Sequence, residues 1–546
     1  MERGKRGDLA EKYPVRGQSF LCKKKLCEFQ GKCYVSILHH KRFGVAMKLP
    51  LTLIAAAVVA STGAVAQTLP EGLVEAARKA VTNNPDVQAR WFGFRAADSE
   101  RGVARAGFLP QLDAVASTGR ENRVRPSGST GSYHHTGAAL TLNQMLFDGF
   151  FTSNEVKRLG HAKLTRYYEL VEASETAALE AVRAYADVAR YRELVEQAKQ
   201  NYVEHKLTTN QIDERTSAGV GRRVDLEQAT GRLALAESNL LTEMSNLHDV
   251  SARYQRLIGE LPPGALAPLP EGFKLSTLPP KAEDVVTFAL NNSPTINAAI
   301  ENMLASEAGI ASQKAGFVPR VDFRARQSWD RNLIGEQGRS RDSTVELVLT
   351  YNFYRGGADK AREQQAVENK FQARELKEKA CRDVRQNTVI AFNDVRRLIE
   401  QMTYLDQHRL STEKAREAYR QQFDLGQRTL LDLLDTQNEA FQASRSYVNA
   451  RYDQVVAQAR TLSAMGQLLP ALNVTRADMP SPADAGQQRS GIDPAELCPA
   501  EAPVAIVVDK AKAVADTPVR PRAVLPPPAA ATPGAPAGAA KPAANR

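Results

Sequence analysis

Aromatic side chains are scarce: Phe, Trp and Tyr together make up 6% of the 546 residues. Beside abundant alanine, that scarcity suits long helices better than a large globular sheet. Cysteine is also rare. Of five, Cys22, Cys27 and Cys33 precede Met47, and only Cys381 and Cys498 follow it. These two are far apart in sequence, so no disulfide framework is expected, even in a compartment that permits one. The Cys-x4-Cys-x5-Cys spacing of the first three, with His39-His40 nearby, fits no standard zinc pattern. The apolar run Leu49–Ala60 is short for a membrane-spanning helix. Excess charge is missing from the part expected to fold. The chain carries a formal +10, but residues 1–66 hold twelve Lys/Arg against four Asp/Glu, a local +8. The remainder is close to neutral, which argues against nucleic acid as a partner. Catalytic constellations are lacking too. His161, His205, His248 and His408 are scattered along helical stretches without a ligand pattern, and His134-His135 fall in a Ser/Gly-rich segment expected to be a solvated loop. Gly356-Gly357 and Gly219-x-Gly221 have no downstream Lys-Ser/Thr and read as turn glycines. The sequence therefore predicts no enzyme, no metal and no cofactor.

What is present begins with a secretory signal. Residues 47–66, MKLPLTLIAAAVVASTGAVA, have a basic start, the apolar run and the small-residue end Ala64-Val65-Ala66, which predicts cleavage before Gln67. Residues 1–46 then read as an overlong or extended leader, with Met47 as the start. From about 471 to 546 the chain is Pro/Ala-rich, as in Pro526–Ala544, and is expected to be a disordered tail.

Between these ends the chain repeats itself. AVTNNPDVQA around Asn83–Asp86 returns as ALNNSPTINA around Asn291–Pro294. GFLPQLD at Gly107–Asp113 returns as GFVPRVD at Gly316–Asp322, and LTLN at Leu140–Asn143 as LTYN at Leu349–Asn352, each 209 residues later. Gly219…Asp225-Leu226 returns as Gly426…Asp432-Leu433, 207 residues on. Two residues of drift over more than a hundred positions is not chance similarity. The repeats are set at 67–266 and 267–470. Each reads helix, strand, loop, strand and two long helices. The strands are expected at about 108–121 and 136–147, then 317–330 and 343–354, with polar loops at Glu121–His135 and Asn332–Asp342. Strands of this length can cross a bilayer core when tilted. One chain offers only two hairpins, and an open edge is not tolerated in lipid, so several copies must complete a barrel. A soluble antiparallel sheet is the alternative. Helices are expected at about 151–216, 222–258, 358–422 and 430–465. Leu226, Ala229, Leu233, Ala236, Leu240, Met244, Leu247, Val250, Tyr254 and Leu257 recur at steps of three and four, a coiled-coil seam. A helix of some 65 residues is about 100 Å long, a length that suits a conduit better than a globular domain.

This duplicated order, from about Leu69 to Leu469, resembles the TolC-like family of outer-membrane channels. The resemblance implies a mixed α/β membrane protein: a homotrimer in which four strands per chain build a shared 12-stranded barrel, continued by a periplasmic coiled-coil tunnel. FDLGQRTLLDLLD, Phe423–Asp435, is similar to the family's second periplasmic hairpin at the closed entrance. Asp432 and Asp435 match its paired acidic positions. Their i,i+3 spacing can place both on one helix face. On the residues alone they read equally as solvating or capping carboxylates; the resemblance makes them a ring that narrows the pore and favours cations. Arg428 matches a basic latch residue and Asp225 its acidic counterpart, a clasp expected between neighbouring coils. Phe423 stands where the best-known members have tyrosine, so a hydroxyl contact is lost, and Val224 departs from a small hydroxyl residue.

The implied system is tripartite. An inner-membrane ABC transporter or proton-driven pump supplies energy, and a periplasmic adaptor (membrane fusion) protein docks on the hairpins at Gly219, Val220, Gly221 and Leu425, Gly426, Gln427. The barrel contacts outer-membrane lipid, and the cargo is an exported protein or small molecule. Type I protein secretion is preferred, with multidrug or metal efflux as one alternative and a non-conducting periplasmic scaffold as another.

Overall fold

A computed structural model describes residues 69–124, 126, 130–266, 269, 278–487, 498–499, 501, 503, 506 and 508–516. All belong to one unit, Ala66–Arg546. The leader, the signal segment with its cleavage site, Cys22, Cys27, Cys33 and the tail from 517 onward lie outside the described residues.

The first half runs α1 (Glu71–Asn83), α2 (Pro85–Ala106), β1 (Gln111–Val124), β2 (Thr130–Phe147), α3 (Phe151–Ser217) and α4 (Arg223–Ile258). The second repeats that order as α5 (Ala282–Asn292), α6 (Pro294–Lys314), β3 (Arg320–Arg331), β4 (Arg339–Thr350), α7 (Ala358–Asp424) and α8 (Leu430–Ala464). Two short helices follow, α9 (Leu468–Ala471) and α10 (Lys510–Ala515). The repeated Asn-Pro and Ser-Pro steps are helix junctions. A residue before proline is steered out of the helical region, and Asn84 and Ser293 are extended, with ψ of 128° and 123°. Asn84 then accepts the Asp86 N–H at 2.9 Å, and Pro85 takes the first turn, where no amide is needed.

Helices α3 and α7 are 67 residues each, about 100 Å. Ala178, Ala181, Ala184 and Ala186 of α3 are fully buried and let α1, α4 and α8 approach closely around Tyr185, Tyr254 and Tyr452. A second core joins α5 and α6 to α7 through Val285, Leu290, Ile296 and Phe392.

The four strands form one antiparallel sheet in the order β1-β2-β3-β4, leaving β1 and β4 as edges within the chain. The register sorts its side chains. Leu112, Ala114 and Ala116 of β1, Ala138, Leu140 and Leu142 of β2, Val321, Phe323 and Ala325 of β3, and Val345, Leu347 and Leu349 of β4 share one face. Every strand carboxylate, Asp113, Glu121, Asp322, Asp330, Asp342 and Glu346, is on the other. There Arg320 pairs with Asp322 at 2.7 Å and Arg324 with Glu346 at 3.3 Å. Where sheet meets helices, Phe150, Phe151, Phe317, Tyr351, Phe353 and Tyr354 are exposed, the last two at 90% and 82%.

Several expectations need correction. The first polar loop is shorter than 121–135: β1 continues to Val124 and β2 starts at Thr130. Backbone pairing carries these residues, and it needs no apolar side chains. His134 and His135 are therefore strand residues, and His135 Nε2 lies 3.5 Å from Asp330. In the second hairpin β4 begins at Arg339 and ends at Thr350, so Tyr351–Tyr354 leave the sheet. Cys381 and Cys498 are disulfide-bonded, with Cα atoms 5.6 Å apart. Their separation of 117 residues hid the pairing. Residues 471–487 are not a featureless tail, since Leu472, Val474 and Ala485 are buried. After Cys498 the chain follows α7: the Pro499 carbonyl accepts from Arg385 at 3.1 Å, and Lys510 donates to the Tyr404 hydroxyl at 2.6 Å.

Candidate functional site

The long helices reverse direction at two turns, Ala218–Arg222 and Leu425–Thr429, and the helix ends beside these turns pack together. Ile212, Ala229, Phe423, Leu430, Leu433 and Leu434 form a buried cluster just inside them. Both turns end a helix in the same way. The Gly219 and Gly426 amides donate to Thr216 and Phe423 carbonyls, and the next amides, of Val220 and Gln427, reach back to Arg215 and Gln422. This closure needs a left-handed residue, and Gly219 and Gly426 have φ of 76° and 73°. The tips are exposed and partly apolar, with Val220 80% and Leu425 74% exposed; Val224 is exposed beside them.

Each predicted carboxylate has a partner in its own chain. Asp432 closes a capping box: its Oδ2 accepts from the Thr429 N–H at 3.2 Å and hydroxyl at 2.9 Å, while its N–H donates to Thr429 Oγ1 at 3.3 Å. Asp435 accepts from Arg232 of α4 at 2.5 Å. Asp225 accepts from Arg222 at 3.1 Å. Arg428 donates to Gln422 Oε1 at 2.9 Å, and its guanidinium lies 4.5 Å from the Tyr419 ring centre. Within one chain Asp225 and Arg428 are therefore not brought together. Phe423 is buried in the apolar cluster, with the Arg215 guanidinium 5.5 Å from its ring centre. Among the described residues no group of three or more His, Cys, Asp or Glu could hold a metal ion.

The sequence model of the family described as Outer membrane efflux protein matches residues 76–260 and 285–467, one segment for each half of the duplication. The chain belongs to this family. It is 27% identical over 422 residues to the outer membrane efflux protein BepC of Brucella suis, covering 76% of this chain and 90% of that one. To the outer membrane protein TolC of Escherichia coli it is 25% identical over 416 residues, covering 73% and 83%. To the alkaline protease secretion protein AprF of Pseudomonas aeruginosa it is 25% identical over 411 residues, covering 71% and 83%. The fold matches the open state of the MtrE outer membrane channel of Neisseria gonorrhoeae at a TM-score of 0.64, with 18% identity over 73% of this chain and 89% of that one. The TolC-like resemblance read from the sequence thus holds. As an outer membrane efflux protein the chain is a non-catalytic transport protein of the outer membrane that extends into the periplasm.

Sequence reading missed what ties the halves together near this end. Arg416 pairs with Glu204 at 2.5 Å, Arg445 with the buried Glu243 at 2.7 Å, and Arg232 with Asp435. Each pair spans about one repeat length, 202 to 212 residues. Duplication sets equivalent helices side by side, so a search for opposite charges at that offset would have found them. His205 is buried beside Arg232; burial, then the Arg232 charge, holds its pKa down at about 4. It is neutral at periplasmic pH.

Proposed function

We propose that the chain assembles as a homotrimer whose twelve strands close one barrel in the outer membrane and whose long helices continue it as a periplasmic tunnel. The sheet carries this reading. It has an exposed apolar face free of carboxylates, a polar face holding all of them, and two unpaired edges. Lipid tolerates the first only as an outer wall and does not tolerate the edges, which neighbouring copies must pair. In the tunnel, Asp432 and Asp435 from three chains form an acidic constriction, and contacts of Asp225, Arg428 and Phe423 hold it closed. A periplasmic adaptor docks on the two exposed turns and links the duct to an inner-membrane ABC transporter or proton-driven pump. Cargo passes unaltered.

The pathway assigned first is type I protein secretion, supported by the likeness to AprF. The likeness to BepC favours a second reading, the outer-membrane component of a drug or metal efflux system. The decisive experiment is single-channel conductance of the mature protein in planar bilayers, beside an Asp432→Asn/Asp435→Asn variant. A small cation-selective conductance that loses selectivity in the variant supports the constriction. Unchanged selectivity moves the filter elsewhere, and failure to trimerise or insert refutes the duct.

A further inference from the structure

The apolar sheet face changes character toward the two hairpin ends, away from the helices. On that face Trp329 stands opposite Arg341, Arg331 opposite Arg339, and Arg120 opposite His134. The four arginines are exposed. None of them has an ion-pair partner among the described residues, and Arg120 donates only to Ser132 Oγ, at 2.7 Å. On the opposite face Arg320 and Arg324 are paired, and Arg326, without an ion pair among the described residues, shares its face with all the strand carboxylates. No strand carboxylate shares the face of the four. Like charges directly across an antiparallel pair repel, so Arg331 and Arg339 are an unfavourable pair unless an anion lies between them.

Their height is informative. The exposed aromatics at the helix junction mark one edge of the apolar band, and Trp329 marks the other. Val321 to Trp329 is eight residues, about 26 Å of strand, or about 20 Å of height at the tilt of barrel strands, and the aromatics beyond Val321 extend it toward the apolar band of membrane barrels, whose edges carry aromatic girdles. Arg341 lies level with Trp329, Arg331 and Arg339 two residues beyond it and Arg120 four, which spreads them through the depth of the lipid headgroups. Because the helices occupy the periplasm, this is the outer leaflet, where the abundant anion is the phosphate of lipopolysaccharide.

We propose that Arg120, Arg331, Arg339 and Arg341 form a collar that binds the phosphate groups of outer-leaflet lipopolysaccharide. The inference rests on the sheet being a membrane wall, as argued above. The like-charged pair supplies two guanidinium forks to one phosphate, the geometry in which arginine binds best. The polar face carries all six strand carboxylates and takes no part.

The test uses the full-length protein purified in detergent, with diphosphorylated lipid A, phosphatidylethanolamine and inorganic phosphate as separate probes, read by native mass spectrometry. Wild type should retain lipid A over phosphatidylethanolamine. The Arg120→Gln/Arg331→Gln/Arg339→Gln/Arg341→Gln variant should bind lipid A about six-hundredfold weaker, at about fivefold per basic residue near an anionic surface. The corresponding four-lysine variant, which keeps the charge but not the bidentate fork, should bind between wild type and the glutamine variant, and Arg326→Gln, on the other face, should change nothing. Equal retention of lipid A by wild type and the glutamine variant overturns the proposal, as does equal binding of phosphatidylethanolamine. Inorganic phosphate that competes as well as lipid A overturns the lipid assignment. Bilayer conductance separates the two levels of argument: conducting variants with unchanged lipid binding sink the collar alone, whereas a wild type that does not insert sinks the membrane wall and the collar with it.

Discussion

Glu175 lies on α3 with its carboxyl buried against the start of α9. Oε1 accepts from the Leu469 N–H at 3.4 Å, and Oε2 is buried without a hydrogen-bond partner. Burial pushes the pKa from 4.5 up to about 8, against the opposing pull of the Leu469 and Leu468 amides. The folded protein therefore keeps a proton that the unfolded chain releases at lower pH. Where the folded state binds more protons, stability falls as pH rises, here through the window from 4.5 to about 8. At pH 7 the penalty is about 3 kcal/mol, at 1.36 kcal/mol per pKa unit; at pH 4 it vanishes. Glu175→Gln keeps the shape and removes the titration. The variant should be more stable than wild type by about that amount at pH 7 and equal to it at pH 4. Thermal unfolding of the purified protein across this pH range measures the difference, and hydrogen exchange at Leu468–Leu472 localises it. A wild-type-minus-variant difference that stays flat with pH would refute the reasoning, because a purely steric effect has no such slope.

Two further perturbations address the second half. Cys381→Ser frees the segment after 487: closing a loop of 117 residues removes about 5 kcal/mol of chain entropy in the ideal limit. Limited proteolysis followed by mass mapping should then release fragments containing Lys510–Ala515 that remain attached in the oxidised wild type; an unchanged digestion pattern counts against the tether. Arg445→Ala removes the counter-charge of Glu243, whose side chain is 3% exposed and keeps only the Asn246 amide at 3.2 Å, and should destabilise by about 3 kcal/mol. Adding Glu243→Gln should recover most of the loss in thermal unfolding, and additive effects of the two changes would mean that the pair does not interact.

Much of the fold is written in local chemistry. The long proline-free stretches leave little alternative to helices near 100 Å, whereas the single helix expected ahead of each strand pair is split in two at the Asn-Pro and Ser-Pro steps, α1 from α2 and α5 from α6. Strand ends were less legible. Residues 130–137 carry Gly, Ser and His, which resemble a loop in composition, yet pair through backbone groups that composition does not report. The disulfide and the ion pairs linking the halves, Arg190 with Asp453 and Arg451 with Glu193 as well as the three near the turns, join residues more than a hundred positions apart and leave no local pattern. After the second turn, the i,i+3 spacing of Asp432 and Asp435 was legible, but not their separate employment. Asp432 caps α8 through Thr429, whereas Asp435 reaches across to α4. Phe423 was read as a tyrosine lacking its hydroxyl; its packing beside Leu433 and Leu434 shows what the ring itself contributes.

The two turns descend from one ancestral unit but are no longer equivalent. Asp225 and Asp432 occupy the same position in the repeat. On α8 the carboxylate completes a capping box, a motif whose cap contributes about 1 kcal/mol. On α4 the cap position is Arg222, which makes no side-chain cap, and Asp225 is left in a pair whose arginine is 80% exposed. Such pairs contribute less than about 1 kcal/mol. The contact between the two turns at this level, Arg232 with Asp435, is likewise solvent-exposed. Ten residues along α8, about 15 Å, Arg445 meets a carboxylate that is almost fully buried, and breaking that pair is far more unfavourable. Weak ties at the tip and a strong one above it mean that α4 can separate from α8 over the last few turns while the rest of the coil stays joined. The apolar cluster around Phe423 lies within that stretch, and it, more than any surface ion pair, sets how firmly the two hairpins are held together.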